Sequence, residues 1–168
     1  DGKIRVFLTS RVISKEDPGE NAIGYQIAIW NTNNLLSRKF SKQKRYHVGH
    51  TPDAERKSLI LEIEKLFPKV FASVEGHKFR GLHDYALTNG LIPYTACYLK
   101  KGVISKASFE KFVLDGDLKH DKEVMASLKK SSPLFFCIED CQPTENPKID
   151  ALLKQTLENC FPDPAPWE

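Results

Sequence analysis

No stretch of this chain approaches the roughly 18 consecutive apolar residues that a membrane-spanning helix needs, so no membrane partner is expected. Gly-x-Gly-x-x-Gly and Gly-x-x-x-x-Gly-Lys-Ser/Thr runs are also missing. Gly76, Gly81 and Gly90 are too dispersed to cradle phosphates, which excludes the common nucleotide-cofactor loops. Cys97, Cys137, Cys141 and Cys160 contain no Cys-x2-Cys pair and therefore no compact zinc knuckle. The opening residues Asp1-Gly2-Lys3-Ile4 carry neither a signal-peptide apolar core nor an initiator methionine; the expectation is a piece of a longer protein.

What the chain does have is an ordinary globular balance, 40% hydrophobic and 28% charged over 168 residues, enough for one well-formed core. One α/β domain is expected over residues 1–160, followed by a proline-rich tail over 161–168. Disulfides are not needed at this length, so the expected setting is intracellular, cytoplasmic or nuclear, with free thiols. The formal charge of +3 is small but unevenly spread. Residues 1–50 hold nine Lys or Arg against four Asp or Glu, whereas residues 102–168 hold eight against twelve. That asymmetry permits an anionic partner on the amino-terminal half.

Alternation predicts strands at Ile4-Val6-Leu8 and at Ile23-Tyr25-Ile27-Ile29, separated by an exposed turn around Pro18-Gly19. A third, basic strand is expected over 35–48, which makes three neighbouring antiparallel strands. Thr51-Pro52 then starts a helix with Leu59, Ile63, Leu66 and Phe67 on one stripe, stopped by Pro68. Further expectations are a short strand over 69–75, a helix over 79–88 ended by Asn89-Gly90, and a strand over 91–99. Helices over 105–114 and 118–130 follow, then a buried strand over 134–138 and a final helix capped by Asn146-Pro147. The fold class is therefore α/β, with helices around a five-stranded mixed sheet.

This element order, over residues 3 to 100, resembles the ribonuclease H-like superfamily. The resemblance implies an aspartate on the first strand, a glutamate on the first helix and an acid at the end of the fourth strand, converging on divalent metals. The first-helix candidates are Asp53, Glu55, Glu62 and Glu64, and the fourth-strand candidate is Glu75. The first-strand position offers only Thr9, Ser10 or Arg11, none of which replaces a carboxylate.

The histidines supply a second candidate cofactor site. His47 and His50 are three apart, and Glu75, His77, His83 and Asp84 follow later; Glu75, His77 or His83 could complete a zinc or other divalent site. Cys97 with His83 has the residue types of a nucleophile and its base, but no flanking nucleophile turn. Most of the histidines suit hydrogen bonding near glycines, and Cys97 and Cys137 suit packing.

The basic segment is the clearest binding candidate. Arg38, Lys39, Lys42, Lys44 and Arg45 fall within eight positions and interleave with Phe40 and Tyr46, combining phosphate contacts with stacking surfaces. The alternative is an edge strand whose cations block aggregation. The sequence thus favours a non-catalytic interaction domain binding nucleic acid, RNA or DNA, through Arg38, Lys39, Phe40, Lys42, Lys44, Arg45 and Tyr46, with no required cofactor. A protein-protein module, anchored by Trp167 in the acidic half, and a metal-dependent nuclease using Glu55, Glu75 and histidines are the other two readings.

Overall fold

The computed structural model describes residues 2–19, 21–51, 55–78, 81–106, 109–131, 135–141 and 146–163. Asp1, Pro52, Asp53 and Trp167, named above, lie outside the described residues, as do 79–80, 134 and most of the tail. The chain is α/β, and it divides into two compact units, Asp1–Lys106 and Ala107–Glu168.

The first unit is built on strand β1 (Ile4–Val12). Its inward residues Ile4 and Val6 are buried, as the alternation requires. β1 is central: it pairs antiparallel with β2 (Tyr46–Val48) and parallel with β3 (Gly102–Ser105), giving the order β2-β1-β3. The register shifts between Leu8↔Val48 and Val12↔Tyr46. Helices α1 (Gly24–Lys39), α2 (Lys57–Leu66), α3 (Pro68–Glu75) and α4 (Ile92–Tyr98) supply the rest of the core with Leu36, Leu59, Ile63, Val70 and Ile92.

The expected opening of three antiparallel strands is replaced by one strand, one long helix and a three-residue strand. Residues 24–39 are helical because their buried positions, Ala28 and Ile29, then Thr32 and Asn33, then Leu36, recur at helical spacing. Two of these are polar, so a count of apolar residues misses the stripe. Burial is tolerated because each is satisfied: the Thr32 hydroxyl donates to the Ala28 carbonyl (2.8 Å) and accepts from the Ala86 N–H (2.9 Å), and Asn33 Oδ1 accepts from Arg45 (2.9 Å).

Pro68 does not only stop α2; it begins α3 at a position where its missing N–H costs nothing. The strand expected over 69–75 is therefore helix. The helix expected over 79–88 and the strand over 91–99 are replaced by a turn, a π-helical turn (Leu87–Leu91) and α4. The π turn closes with the Leu91 N–H on the Ala86 carbonyl (2.8 Å). Gly90 sits inside it because an added Cβ would lie 3.1 Å from Thr32 Cγ2.

In the second unit, β4 (Phe109–Leu114) pairs parallel with β5 (Phe135–Asp140), and α5 (Leu118–Ser131) and α6 (Pro147–Cys160) pack with them. Its core is Leu114, Met125 and Ile149, joined by Val124, Ile138 and Leu152. The helix expected over 105–114 is a strand, with Phe112 and Leu114 buried two apart. Asn146 caps α6 by accepting the Lys148 N–H (3.2 Å), as the Asn-Pro signal anticipates. The mixed pairing is thus split into a three-stranded and a two-stranded sheet rather than one sheet of five.

Candidate active site

The segments around the carboxy-terminal end of α3 and the start of α1 bring together the first unit's main cluster of reactive side chains. His77 follows α3 directly, and its ring Nδ1 pairs with Asp84. Asp84 is buried, and its other carboxylate oxygen accepts the Gly81 N–H (2.6 Å), which holds the turn tight. Helix α1 clamps that turn from the other side: the Asn31 amide donates to the carbonyls of Leu82 and Asp84 (3.0 Å each). A carboxylate fixed in this way accepts from Nδ1–H and leaves the lone pair on Nε2, the arrangement of an oriented general base.

The pair lines a cavity of about 280 Å³ with Tyr25, Lys78, Thr88 and Asn89. Tyr25 also faces His47, with the ring centroids 6.4 Å apart. Burial, with a smaller contribution from the positive charge of Arg11, lowers the His47 pKa and favours its neutral form. His47 and Arg11 line a second cavity of about 310 Å³ together with Gln26 and Trp30. Basic, hydroxyl-bearing and imidazole groups therefore gather where β1 and β2 meet the start of α1, the inventory that acyl or phosphoryl transfer requires.

The basic segment does something else. Arg38 and Lys39 are exposed in the last turn of α1, Lys42 and Lys44 are exposed in an irregular connection, and only Tyr46 lies in a strand. Phe40 stacks on Tyr98 (4.2 Å between centroids) and meets Phe67 edge-on. Lys44 lies over the Tyr46 ring at 5.3 Å. The Tyr46 backbone exchanges two 2.7 Å hydrogen bonds with the Tyr94 hydroxyl, whose pKa burial pushes up to about 12.

Arg45 is almost fully buried, bonded to Asn33, Ser37, the Ser41 carbonyl and the Tyr98 hydroxyl. It is a structural cation, and the extended basic strand expected of 35–48 does not exist.

The acids of the ribonuclease H-like expectation are dispersed. Glu55 precedes α2, Glu62 pairs with Lys101, Glu64 is exposed on α2, and Glu75 ends a helix rather than a strand. His50 and His83 are exposed, and neither joins His47 or His77 in a metal-binding trio among the described residues. The one trio of potential ligand atoms within 4.8 Å of one another, among the described residues, is Asp115, His120 and Asp121 at the start of α5. There buried Asp121 accepts the N–H groups of Asp115 (3.1 Å) and Gly116 (3.2 Å). Cys97 is half-buried with its thiol pKa raised by desolvation, the opposite of an activated nucleophile.

Sequence alone offers His77 as a metal ligand and gives no reason to pair it with Asp84. A seven-residue separation through a glycine turn has no periodic signature. The one sequence signal is a Gly81-Leu82-His83-Asp84 turn that begins four residues after His77.

No protein-family model matches the chain. Several relatives do. An exopolysaccharide phosphotransferase of Nocardia farcinica is 31% identical over 157 residues, 90% of this chain and 31% of that protein. The exopolysaccharide phosphotransferase CpsY of Mycobacterium leprae is 31% identical over 173 residues, 99% of this chain and 31% of that protein. The capsular polysaccharide phosphotransferase SacB of Neisseria meningitidis serogroup A is 28% identical over 144 residues, 82% of this chain and 26% of that protein.

The chain thus spans about a third of the length of the relatives it matches. These similarities overturn the ribonuclease H-like resemblance and the expectations of a non-catalytic nucleic-acid-binding domain, a protein-interaction module or a nuclease. Among the described residues, no helix is long and apolar enough to cross a membrane. What this chain is similar to, over most of its length, is a set of polysaccharide phosphotransferases.

Proposed function

We propose that these residues form one wall of the active site of a polysaccharide phosphotransferase, with His77 as general base. The supporting observation is the His77–Asp84 pair, fixed by Gly81 and Asn31 at a cavity that also holds Lys78. In the reaction, an acceptor hydroxyl gives its proton to His77 Nε2 as its oxygen attacks phosphorus. The new O–P bond forms while the bond from phosphorus to the leaving phosphate of a diphosphate-activated sugar breaks in line. Lys78, at the same cavity, offsets the charge that spreads over the phosphoryl oxygens. Asp84 holds the imidazole in the tautomer that accepts the proton and stabilises the imidazolium that results, so it acts through His77.

The test is sugar-phosphate transfer to an oligosaccharide by the longest polypeptide that carries these residues, comparing His77→Gln and Asp84→Asn with the parent sequence. Loss of a general base lowers turnover by about 10²–10⁴-fold, with little change in KM for the donor. His77→Gln with turnover within about threefold of the parent overturns the assignment, since a base cannot be dispensable.

A further inference from the structure

Trp30 stands apart from the phosphotransfer residues and is not used by them. It lines two cavities at once, the one of about 310 Å³ beside Arg11 and His47 and another of about 490 Å³ with Ile27, Asn31 and Leu82. Both volumes fall in the range of about 300–1,000 Å³ typical of small-ligand sites. Asp17 and Pro18 line both cavities too, so the two form neighbouring compartments around one indole.

The ring is tethered at its nitrogen to the neighbouring loop. Its Nε1–H donates to the Lys15 carbonyl at 3.4 Å, and Asp17 tightens the same loop by accepting the Gly19 N–H at 2.9 Å, where Gly19 takes a φ of +79° that other residues rarely adopt. Leu82, 64% exposed, adds a second apolar surface at the cavity wall.

The chemistry of the lining selects the occupant. Among the described residues, the larger cavity is lined by no cationic side chain, and in the smaller one Arg11 is balanced by Glu16 and Asp17. From these residues a phosphate would find no net positive field. A tethered indole with apolar neighbours and flanking planar polar groups (Asp17, Gln26) instead suits a ring with C–H faces and hydroxyl edges, which stacks on the aromatic and hydrogen-bonds around its rim.

We infer that Trp30 is the platform of a subsite for a neutral saccharide, the acceptor chain of the reaction proposed above, on which this inference rests. Asn31, next to Trp30, holds the Leu82 and Asp84 carbonyls, so the same helix turn that carries the platform also positions the turn bearing Asp84.

The test is saccharide binding by the 168-residue chain, followed through the indole N–H resonance of Trp30. Trp167→Phe leaves Trp30 as the single tryptophan of the two present. The probes are neutral hexasaccharides of glucose, mannose, galactose and N-acetylglucosamine, with inorganic pyrophosphate as the anionic probe. At least one hexasaccharide shifts the Trp30 signal, its affinity falls about tenfold or more in Trp30→Ala, and pyrophosphate leaves the signal in place.

Leu82→Asp changes an exposed position without touching the core and weakens the same saccharide by about fivefold, a check independent of how Trp30→Ala folds. Binding by no hexasaccharide, affinity within about twofold in both variants, or a Trp30 shift with pyrophosphate alone overturns the platform. His77→Gln keeps saccharide affinity while transfer falls. If transfer is unaffected by His77→Gln but Trp30 still binds saccharide, the base assignment falls and the platform stands. The converse result removes the platform alone.

Discussion

Replacing Arg45 by methionine keeps the apolar stem and removes only the guanidinium, which makes its cost calculable. The guanidinium donates to Tyr98 Oη from Nε (3.1 Å) and Nη2 (2.8 Å), to Asn33 Oδ1 (2.9 Å), to Ser37 Oγ (2.8 Å) and to the Ser41 carbonyl (2.8 Å). It also faces the rings of Tyr94 and Tyr98 at 5.9 and 5.7 Å. After substitution the Tyr98 hydroxyl keeps Gln43, and Ser37 and Ser41 reach water. Asn33, only 5% exposed, loses its partner outright.

One orphaned buried amide costs about 1–3 kcal/mol, and the remaining bonds add a net ~1 kcal/mol after the desolvation of the cation is returned. The sum is about 3 kcal/mol. Denaturant unfolding followed by Trp30 fluorescence in a Trp167→Phe background reads the first unit directly. Arg45→Lys recovers little, because an ammonium cannot span the four partners. Lys42→Ala and Lys44→Ala, both exposed, stay within about 0.5 kcal/mol. An Arg45→Met protein within about 1 kcal/mol of the parent would refute the view that this cation organises α1 and the segment leading to β2.

Gly102→Ala places a Cβ 3.0 Å from the Cys97 backbone nitrogen and 3.1 Å from the Ala96 carbonyl carbon, where no flexible side chain can yield. Thermal unfolding shows a loss of about 1–3 kcal/mol; an unchanged Tm would show that α4 and β3 separate more easily than their packing implies. His47, neutral by burial and by Arg11, has a folded pKa below 6.5, so its contribution is complete above 6.5 and is lost as pH falls through the folded value. NMR titration finds that pKa raised in Arg11→Ala, and an unmoved value removes Arg11 as a cause. His120 behaves oppositely: its hydrogen bond to Asp121, with the charge of Asp115, raises its pKa, so its contribution is present below 6.5 and is lost as pH rises through the folded value. His120→Gln abolishes that limb of the stability profile; a profile identical to the parent's would contradict the contact.

The readable parts of the fold are those whose signals are local. Asn146-Pro147 announces α6, the apolar stripe of Leu59 and Ile63 announces α2, and the alternation of Ile4 and Val6 announces β1; each follows from cap chemistry or from one buried face. The misread parts are those whose polar residues are buried by distant partners. Ile23, Tyr25, Ile27 and Ile29 alternate like a strand, and the residues that make the segment a helix stripe, Thr32 and Asn33, count as buried only once Ala86 and Arg45 arrive to bond them.

The basic run shows the same limit from the other direction. Five cations within eight residues read as one basic strand, yet a helix end and an irregular connection divide them, and Arg45 turns inward.

By itself, then, the sequence determined an α/β chain with a sizeable core and no cofactor loop of the common glycine-rich kinds, because residue type and short-range pattern suffice for these. Only the tertiary structure decided that His77 meets Asp84 and that Arg45 is buried. Both depend on α1 presenting Asn31 and Asn33 to segments that lie 50 or more residues later or about a dozen residues later, contacts whose free energy is realised only when the elements have packed.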